Sequence, residues 1–153
     1  MIDGNGREID YLRISIIDRC NLRCVYCMPE NGVDAVAHDE ILSYEEITKL
    51  VKVFAGLGFR KIKLTGGEPL VRKNAAHLVK EMKEIDGIEQ VTLTTNGILL
   101  AETMNALAEA GIDGINLSLD TLNPEVFEKI TRRAFFEKVI EGFQAALNIR
   151  KYR

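Results

Sequence analysis

The sequence predicts an α/β fold built from parallel β/α units, and three features of the 153-residue chain support this prediction. Short segments rich in Ile, Leu, Val and Thr alternate with longer segments of helical periodicity, and glycines follow two of the helical patterns. The β–α order occurs four times, which is typical of right-handed parallel units. A small doubly wound sheet shares this local pattern, so periodicity leaves that alternative open.

Four strands are predicted from runs of β-branched and aliphatic residues. They are YLRISII (11–17), RKIKLT (60–65), QVTLTT (90–95) and DGINLSL (113–119).

Five helices are predicted between and after these strands. The first begins after Ser43, whose spacing to Glu46 predicts a capping box. The second and third stop at Gly87 and Gly111, Asn123 caps a short fourth helix, and the fifth covers about 134–150. The residues predicted to face inward are Ile47, Leu50, Val51, Phe54, Leu57, Leu78, Val79, Met82, Ile85, Leu100, Met104, Leu107, Ala108, Phe136, Val139, Ile140, Phe143 and Leu147.

Composition indicates one globular domain over residues 1–153, because 46% hydrophobic and 28% charged residues are ordinary values. A net charge of −3 gives no general attraction to nucleic acid or anionic membranes. The polar N-terminus lacks a signal-peptide core, and no apolar stretch approaches the roughly 18 residues of a membrane span. Three cysteines, an odd number, favour the reducing cytoplasm over a disulfide framework.

The conspicuous motifs all follow predicted strands. A cysteine cluster follows the first strand, GGEP (66–69) the second and TNG (95–97) the third, and residues 118–120 close the fourth. The carboxyl ends of parallel strands meet at one edge of the sheet, where α/β proteins carry their chemistry. Four loops are therefore predicted to converge on one site.

Cys20, Cys24 and Cys27 form a C-x3-C-x2-C motif. A structural zinc site takes four Cys or His ligands, and His38 and His77, both predicted to be isolated surface residues, lack the spacing to complete one. Thiolates also suit iron–sulfur clusters. Three thiolates on a four-iron cluster leave one iron free to bind a small molecule. We favour this interpretation over zinc and over three core cysteines that lie together by chance.

With C-x3-C-x2-C after the first strand and GGEP after the second, the chain resembles the radical S-adenosylmethionine (SAM) enzymes. The resemblance implies an incomplete (β/α)6 barrel of the TIM type, with about four strands present here. It also implies a [4Fe-4S] cluster on Cys20, Cys24 and Cys27, with SAM as the cofactor. In that superfamily the free iron chelates SAM, an electron from an external donor cleaves its C–S bond, and a 5′-deoxyadenosyl radical abstracts hydrogen from the substrate.

Longer segments are similar to the GTP 3′,8-cyclase family of molybdenum cofactor biosynthesis. They are GREIDYLRISIIDRCNLRCVYCMP, KIKLTGGEPLVR, VTLTTNGILL, INLSLDTLNPEVFEKITRR and FEKVIEGFQAAL. This resemblance runs from about residue 5 to 148 and implies a lyase that starts the cyclisation of GTP with the 5′-deoxyadenosyl radical.

The resemblance assigns SAM contacts to Tyr26, Gly67 and Ser118. Structural explanations stand beside these assignments: Tyr26 as an aromatic packed near the cluster, and Ser118 as a strand serine with a buried partner. Gly66 and Gly67 permit unusual dihedral angles and a close approach of the backbone to SAM. Glu68 either binds the SAM ammonium group or caps the following helix.

The resemblance assigns GTP contacts to Arg13, Lys63 and Thr94. A cation within a parallel strand is costly unless it meets an anion, which a triphosphate supplies. The alternatives are an ion pair with Glu68 or Asp120, and a purely structural role for Thr94 in its strand.

The chain departs from this family in length. The resembled enzymes continue into a second half that carries another three-cysteine cluster, whereas this chain has no cysteine after Cys27. Four parallel strands alone would leave an open sheet edge. An excised domain, a truncated product, and a natural half completed by another chain or a homo-oligomer all fit. Arg132 and Arg133 are expected at a solvated helix end.

Two other functions stay open from the sequence. One is a radical SAM enzyme that acts on a peptide or a small metabolite, and the other is a non-catalytic module that binds a cluster or zinc. A neutral substrate would not need two cations such as Arg13 and Lys63, which favours a nucleotide.

Overall fold

The computed structural model of the protein describes residues 2–34, 36–37 and 40–149, so His38 lies outside the described residues. Strands and helices alternate within these ranges, as predicted. In chain order they are β1 (Tyr11–Ser15), α1 (Tyr44–Gly56), β2 (Lys61–Thr65), α2 (Ala75–Lys83), β3 (Gln90–Thr95), α3 (Leu100–Glu109), β4 (Gly114–Leu117), α4 (Pro124–Thr131) and α5 (Phe136–Asn148). A short 3-10 helix, Pro69–Val71, lies between β2 and α2.

The four strands form one parallel sheet in the order β1-β2-β3-β4. A doubly wound sheet reverses its strand order at a switch point, whereas a barrel adds each strand beside the previous one. The sequential order therefore confirms the barrel-type arrangement of parallel β/α units.

One face of the sheet is closed by helices, and we call it the covered face. Its strand residues Ile62, Leu64, Val91 and Leu93 are 0% exposed and share one apolar core with residues of α1, α2 and α3. Alternate residues of a strand point to opposite faces, so the intervening positions lie on the other side. That side, the open face, carries Arg13, Lys63, Thr92, Thr94 and Asn116, all half-buried or exposed.

The predicted helix boundaries follow from local chemistry. Ser43 and Glu46 form the predicted capping box at the start of α1. The Asn123 side chain accepts hydrogen bonds from two backbone N–H groups of α4. Gly87 and Gly111 adopt φ of 91° and 86°, the left-handed conformation that glycine tolerates after a helix.

Four residues predicted to face inward are instead exposed: Leu50, Leu57, Phe143 and Leu147. The apolar stripe of a helix is wider than the face that it buries, and Leu50 lies at its margin in α1. Leu57 lies just beyond the end of α1, at its C-cap. Phe143 and Leu147 line an apolar groove of about 320 Å³ with Ile115 and Leu117, beside the edge strand β4. They stay exposed because no further strand covers β4 within the described part of the chain.

None of the helices in the described ranges combines the length and apolar character of a membrane span.

Candidate functional site

The four loops that follow the strands meet at one edge of the sheet, as the sequence predicts. The backbone N–H groups of Gly67 and Glu68 donate to the carbonyls of Ile17 and Arg19, at 2.7 and 2.8 Å. These bonds join the GGEP loop to the start of the cysteine loop, which we define as residues 18–29. The other two loops join this assembly through side chains.

The cysteine loop is held in place by the end of α4. The N–H groups of Arg23 and Val25 donate to the carbonyls of Thr131 and Ile130, at 3.0 and 2.9 Å. The Arg132 guanidinium donates to the carbonyls of Arg23 and Met28, at 3.2 Å each. The prediction that Arg132 ends a solvated helix was therefore wrong, because its side chain clamps the loop. Arg133 is exposed, as expected.

The three cysteines are free thiols on this loop, with Cys20 and Cys24 half-buried and Cys27 exposed. Burial raises the pKa of the Cys20 and Cys24 thiols, and the neighbouring thiols raise it further when they ionise. A bound metal supplies the positive charge that offsets both effects, because metal ligation requires thiolates. The loop therefore suits a cationic occupant rather than three free thiolates.

The donor set of the cysteine loop consists of the thiols of Cys20, Cys24 and Cys27. Thiolates are ligands of iron–sulfur clusters as well as of zinc. Across the described residues, no group of three or more His, Cys, Asp or Glu side chains is placed to hold one metal ion. The chemistry of the three donors fits an iron–sulfur cluster.

Gly66 and Gly67 are required by backbone packing. A Cβ atom on Gly66 would lie 2.5 Å from the Ile17 carbonyl oxygen, and one on Gly67 would lie 2.4 Å from that of Arg19. Neither glycine has a positive φ, so the expectation of unusual dihedral angles was wrong. The close approach that they permit is to the residues preceding the cysteines.

Glu68 is a buried residue that links the GGEP loop to the TNG loop by hydrogen bonds. It is 1% exposed, and its carboxylate accepts hydrogen bonds from the Thr95 hydroxyl and the Asn96 N–H, both at 2.7 Å, and from the Leu70 N–H at 3.1 Å. Burial raises the pKa of this carboxyl, and the three donors act in the opposite direction. The bond from the Leu70 N–H caps the 3-10 helix Pro69–Val71, so the structure shows the capping alternative for Glu68.

Tyr26 connects the cysteine loop to the end of β4. Its hydroxyl donates to Asp120 Oδ2 at 2.6 Å, and this bond to a carboxylate, together with burial, raises the pKa of Tyr26. The ring is 68% exposed, so it is available to a ligand.

Ser118 lies one residue past β4 and is exposed, although its N–H still donates to the Thr95 carbonyl at 2.8 Å. The explanation of Ser118 as a buried strand serine was therefore wrong.

Arg13 and Lys63 are neighbours across the β1–β2 pairing on the open face. Arg13 Nε makes a long contact of 3.5 Å with the Thr65 hydroxyl. Neither cation forms a salt bridge to a residue in the described ranges, and the alternative of pairing with Glu68 or Asp120 was wrong. Thr94 lies on the same face of β3, the strand next to β2, and is half-buried. The open face therefore presents positive charge without a countercharge from the described chain.

Asn96 is a site residue that the sequence reasoning did not single out. TNG was recognised as a loop motif, but its asparagine is 9% exposed and contacts both Asn21 and Cys20. The available signal was its place directly after a buried strand, where a polar residue needs partners.

Comparison with known proteins finds that residues 14–151 match the radical SAM superfamily. GTP 3′,8-cyclase of Petrotoga mobilis is 54% identical over 149 residues, which cover 97% of this chain and 46% of that protein. The enzyme of the same name from Peptoclostridium acidaminophilum is 50% identical over the same shares. The chain thus spans a little under half the length of the curated relatives that it matches.

Two solved structures share the fold at low sequence identity. The [FeFe]-hydrogenase maturase HydG superposes with a TM-score of 0.71 at 16% identity, covering 90% of this chain and 32% of that one. Methylornithine synthase (PylB) superposes with a TM-score of 0.69 at 22% identity, covering 90% and 41%.

Proposed function

The chain belongs to the radical SAM superfamily, and we propose that it forms the SAM-cleaving half of a GTP 3′,8-cyclase, a lyase of molybdenum cofactor biosynthesis. The observation that carries this proposal is the cysteine loop, which is fixed between the GGEP loop and α4 with three free thiols. The names of relatives at 50–54% identity support the choice of reaction.

In this proposal Cys20, Cys24 and Cys27 hold a [4Fe-4S] cluster. When bound, the cluster supplies the electron that cleaves the C–S bond of SAM. The chain contributes the ligands and the frame around them: Arg132 fixes the loop carbonyls on one side, and the GGEP loop fixes its start on the other. An external protein or chemical donor would reduce the cluster.

SAM is proposed to lie between Tyr26, Gly67 and Ser118. The Gly67 N–H already donates to Ile17, so its carbonyl oxygen is the atom that can accept from the SAM ammonium group. Tyr26 offers an exposed ring, and its hydroxyl is kept protonated by Asp120. Ser118 offers an exposed hydroxyl at the end of β4. Tyr26 lies on the cysteine loop itself, and Gly67 and Ser118 come from two of the loops that border it.

GTP is proposed to bind the open face through Arg13, Lys63 and Thr94. Two cations side by side without a carboxylate partner suit a triphosphate, because the ligand then supplies the countercharge. Arg13 can bind phosphate in a bidentate manner, whereas Lys63 acts as a point charge. The Thr94 hydroxyl adds a neutral donor.

We further propose that residues 1–153 act as one domain in the cytoplasm, and that turnover also requires the half that the relatives carry beyond the matched region, supplied by the same chain, by another chain or by a homo-oligomer. The open edge at β4 and the share of the relatives covered support this completion.

The test is 5′-deoxyadenosine production after anaerobic reconstitution with iron and sulfide, in the presence of SAM, dithionite and GTP. Product that disappears in Cys24→Ala supports radical generation by this half. The matched control is His77→Ala, which alters an exposed residue of α2 outside the proposed site and should leave the product unchanged. A fully loaded cluster without product contradicts SAM cleavage by this chain alone.

A further inference from the structure

The side chain of Asn96 points at the sulfur atom of Cys20. Asn96 Nδ2 lies 3.8 Å from Cys20 Sγ and 2.7 Å from Asn21 Oδ1. A side-chain amide has two N–H donors, so one hydrogen can serve each acceptor. Cys20 Sγ also accepts from the Leu22 N–H at 3.4 Å. One cysteine of the motif therefore lies in reach of two N–H donors.

The orientation of this amide is fixed by its other contacts. Asn96 Oδ1 accepts from the Ile98 N–H at 3.1 Å, which leaves Nδ2 directed towards the cysteine loop. The Asn96 backbone N–H donates to the buried Glu68 carboxylate at 2.7 Å. With 9% of its surface exposed, Asn96 is held by contacts to three loops. It is therefore not free to turn its donor away from Cys20.

An N–H directed at a ligating sulfur has a definite electrostatic effect. It stabilises negative charge on the sulfur, and the reduced form of a cluster carries one more negative charge than the oxidised form. Such hydrogen bonds are among the factors that set the reduction potential of iron–sulfur clusters. Removal of the donor should make the cluster harder to reduce.

We propose that Asn96 is a positioning residue that raises the reduction potential of the cluster on Cys20, Cys24 and Cys27, through the amide N–H that it directs at Cys20. This inference rests on the proposed function, since it requires that the three cysteines hold an iron–sulfur cluster.

The test compares reconstituted wild-type protein with Asn96→Asp in an anaerobic redox titration followed by absorption and electron paramagnetic resonance. Aspartate keeps the shape of the side chain and the acceptor for Ile98, but replaces the donor with a carboxylate oxygen. The ratio of reduced to oxidised cluster at a fixed solution potential should fall about tenfold, a shift of about 59 mV for a one-electron couple. Asn96→Ala removes the donor without adding charge and should shift the potential less, in the same direction.

The matched control is Asn105→Asp, which makes the same chemical change on an exposed position of α3. Its potential should equal that of the wild type. An unchanged potential in Asn96→Asp, with wild-type iron and sulfide content, overturns the inference. So does the loss of cluster loading in both Asn96 variants while circular dichroism shows a folded protein, because Asn96 would then act only on structure. A wild-type protein that binds no cluster contradicts the proposed function itself.

Discussion

The two faces of the sheet are made by alternate residues of the same strands, yet they differ in almost every physical property. Leu64 and Leu93 on the covered face are fully buried in the main core. Lys63 and Thr94, their sequence neighbours, lie on the open face and are only partly buried. One strand can therefore place apolar side chains in the core on one side and present polar side chains to the proposed ligand on the other.

The energetic contributions of the two faces should be separable. Burial of one Leu side chain contributes about 1.5–3 kcal/mol to folding. Arg13 and Lys63 have no carboxylate partners within the described ranges, so the folded state gains no ion pair from them. Substitutions on the covered face should therefore change stability, and those on the open face should change ligand binding.

The difference between the two faces is tested most directly by truncating adjacent residues of β3. Leu93→Ala should lower the free energy of unfolding by about 2–5 kcal/mol, because it leaves a cavity in the core. Thr94→Ala should change it by no more than about 0.5 kcal/mol. Urea denaturation followed by circular dichroism measures both values. Equal losses in the two variants would show that the open face is also part of the packed core.

A second test concerns the packing of the GGEP loop against the cysteine loop, at the carboxyl ends of the strands. Gly67→Ala places a methyl group 2.4 and 2.5 Å from the carbonyl oxygens of Arg19 and Asp18, so the loop backbone must move. We expect a loss of about 1–3 kcal/mol of stability and reduced iron loading. Gly4→Ala is the control, because no atom lies within 4 Å of its added carbon. Wild-type iron content and stability in Gly67→Ala would refute the packing argument.

The open face itself is tested by removing its cations. Arg13→Ala and Lys63→Ala should each weaken GTP binding about tenfold, or about 1.4 kcal/mol, because each removes a cation that is proposed to contact the triphosphate. Isothermal titration calorimetry measures the dissociation constant. The free energy of unfolding should stay within about 0.5 kcal/mol of the wild type.

The control for these variants is Lys52→Ala on the exposed side of α1, which should leave GTP binding unchanged. If Lys52→Ala weakened binding as much as Lys63→Ala, the interaction would reflect overall charge rather than a site on the open face.

The smallest expected effect comes from Lys61, two residues before Lys63 on β2, whose ammonium lies 2.9 Å from Asp10. The hydrogen bond to Lys61 lowers the pKa of Asp10 below its ordinary value of 3.8. The stabilisation is therefore complete above pH 3.8 and is lost as the pH falls through the lowered value. At pH 7, the melting temperature of Asp10→Asn should be slightly lower than that of the wild type.

In strong acid, where Asp10 is protonated, the same variant and the wild type should have equal melting temperatures. Thermal unfolding at pH 7 and below pH 3 gives the comparison. A difference that persists or grows in acid would show that Asp10 acts through something other than its charge. The effect is small because both side chains are solvated.

Much of the fold was predictable because its signals are local. The boundaries at Ser43, Asn123, Gly87 and Gly111 each depend on a few neighbouring residues. The convergence of the motifs followed from one general property of parallel sheets, that carboxyl ends share an edge. The sequence therefore located the site without any knowledge of its contacts.

The contacts inside the site were not predictable in the same way. Glu68 bonds to residues 27 and 28 positions away, and Asn96 to residues 75 and 76 positions away. No local pattern distinguishes an asparagine that directs its amide at a cysteine from one in an ordinary turn. The exposure of Phe143 and Leu147 also depends on what lies beyond β4, which helix periodicity does not show.

The clamp of Arg132 has a consequence for the order of events during synthesis. Its bonds to the carbonyls of Arg23 and Met28 span 109 and 104 residues of chain. Translation proceeds at about 5–20 residues per second, so the three thiols leave the ribosome several seconds before their clamp exists. Metal inserted after α4 has formed would therefore bind a cysteine loop that Arg132 already holds in place. Metal inserted earlier would bind an unrestrained peptide.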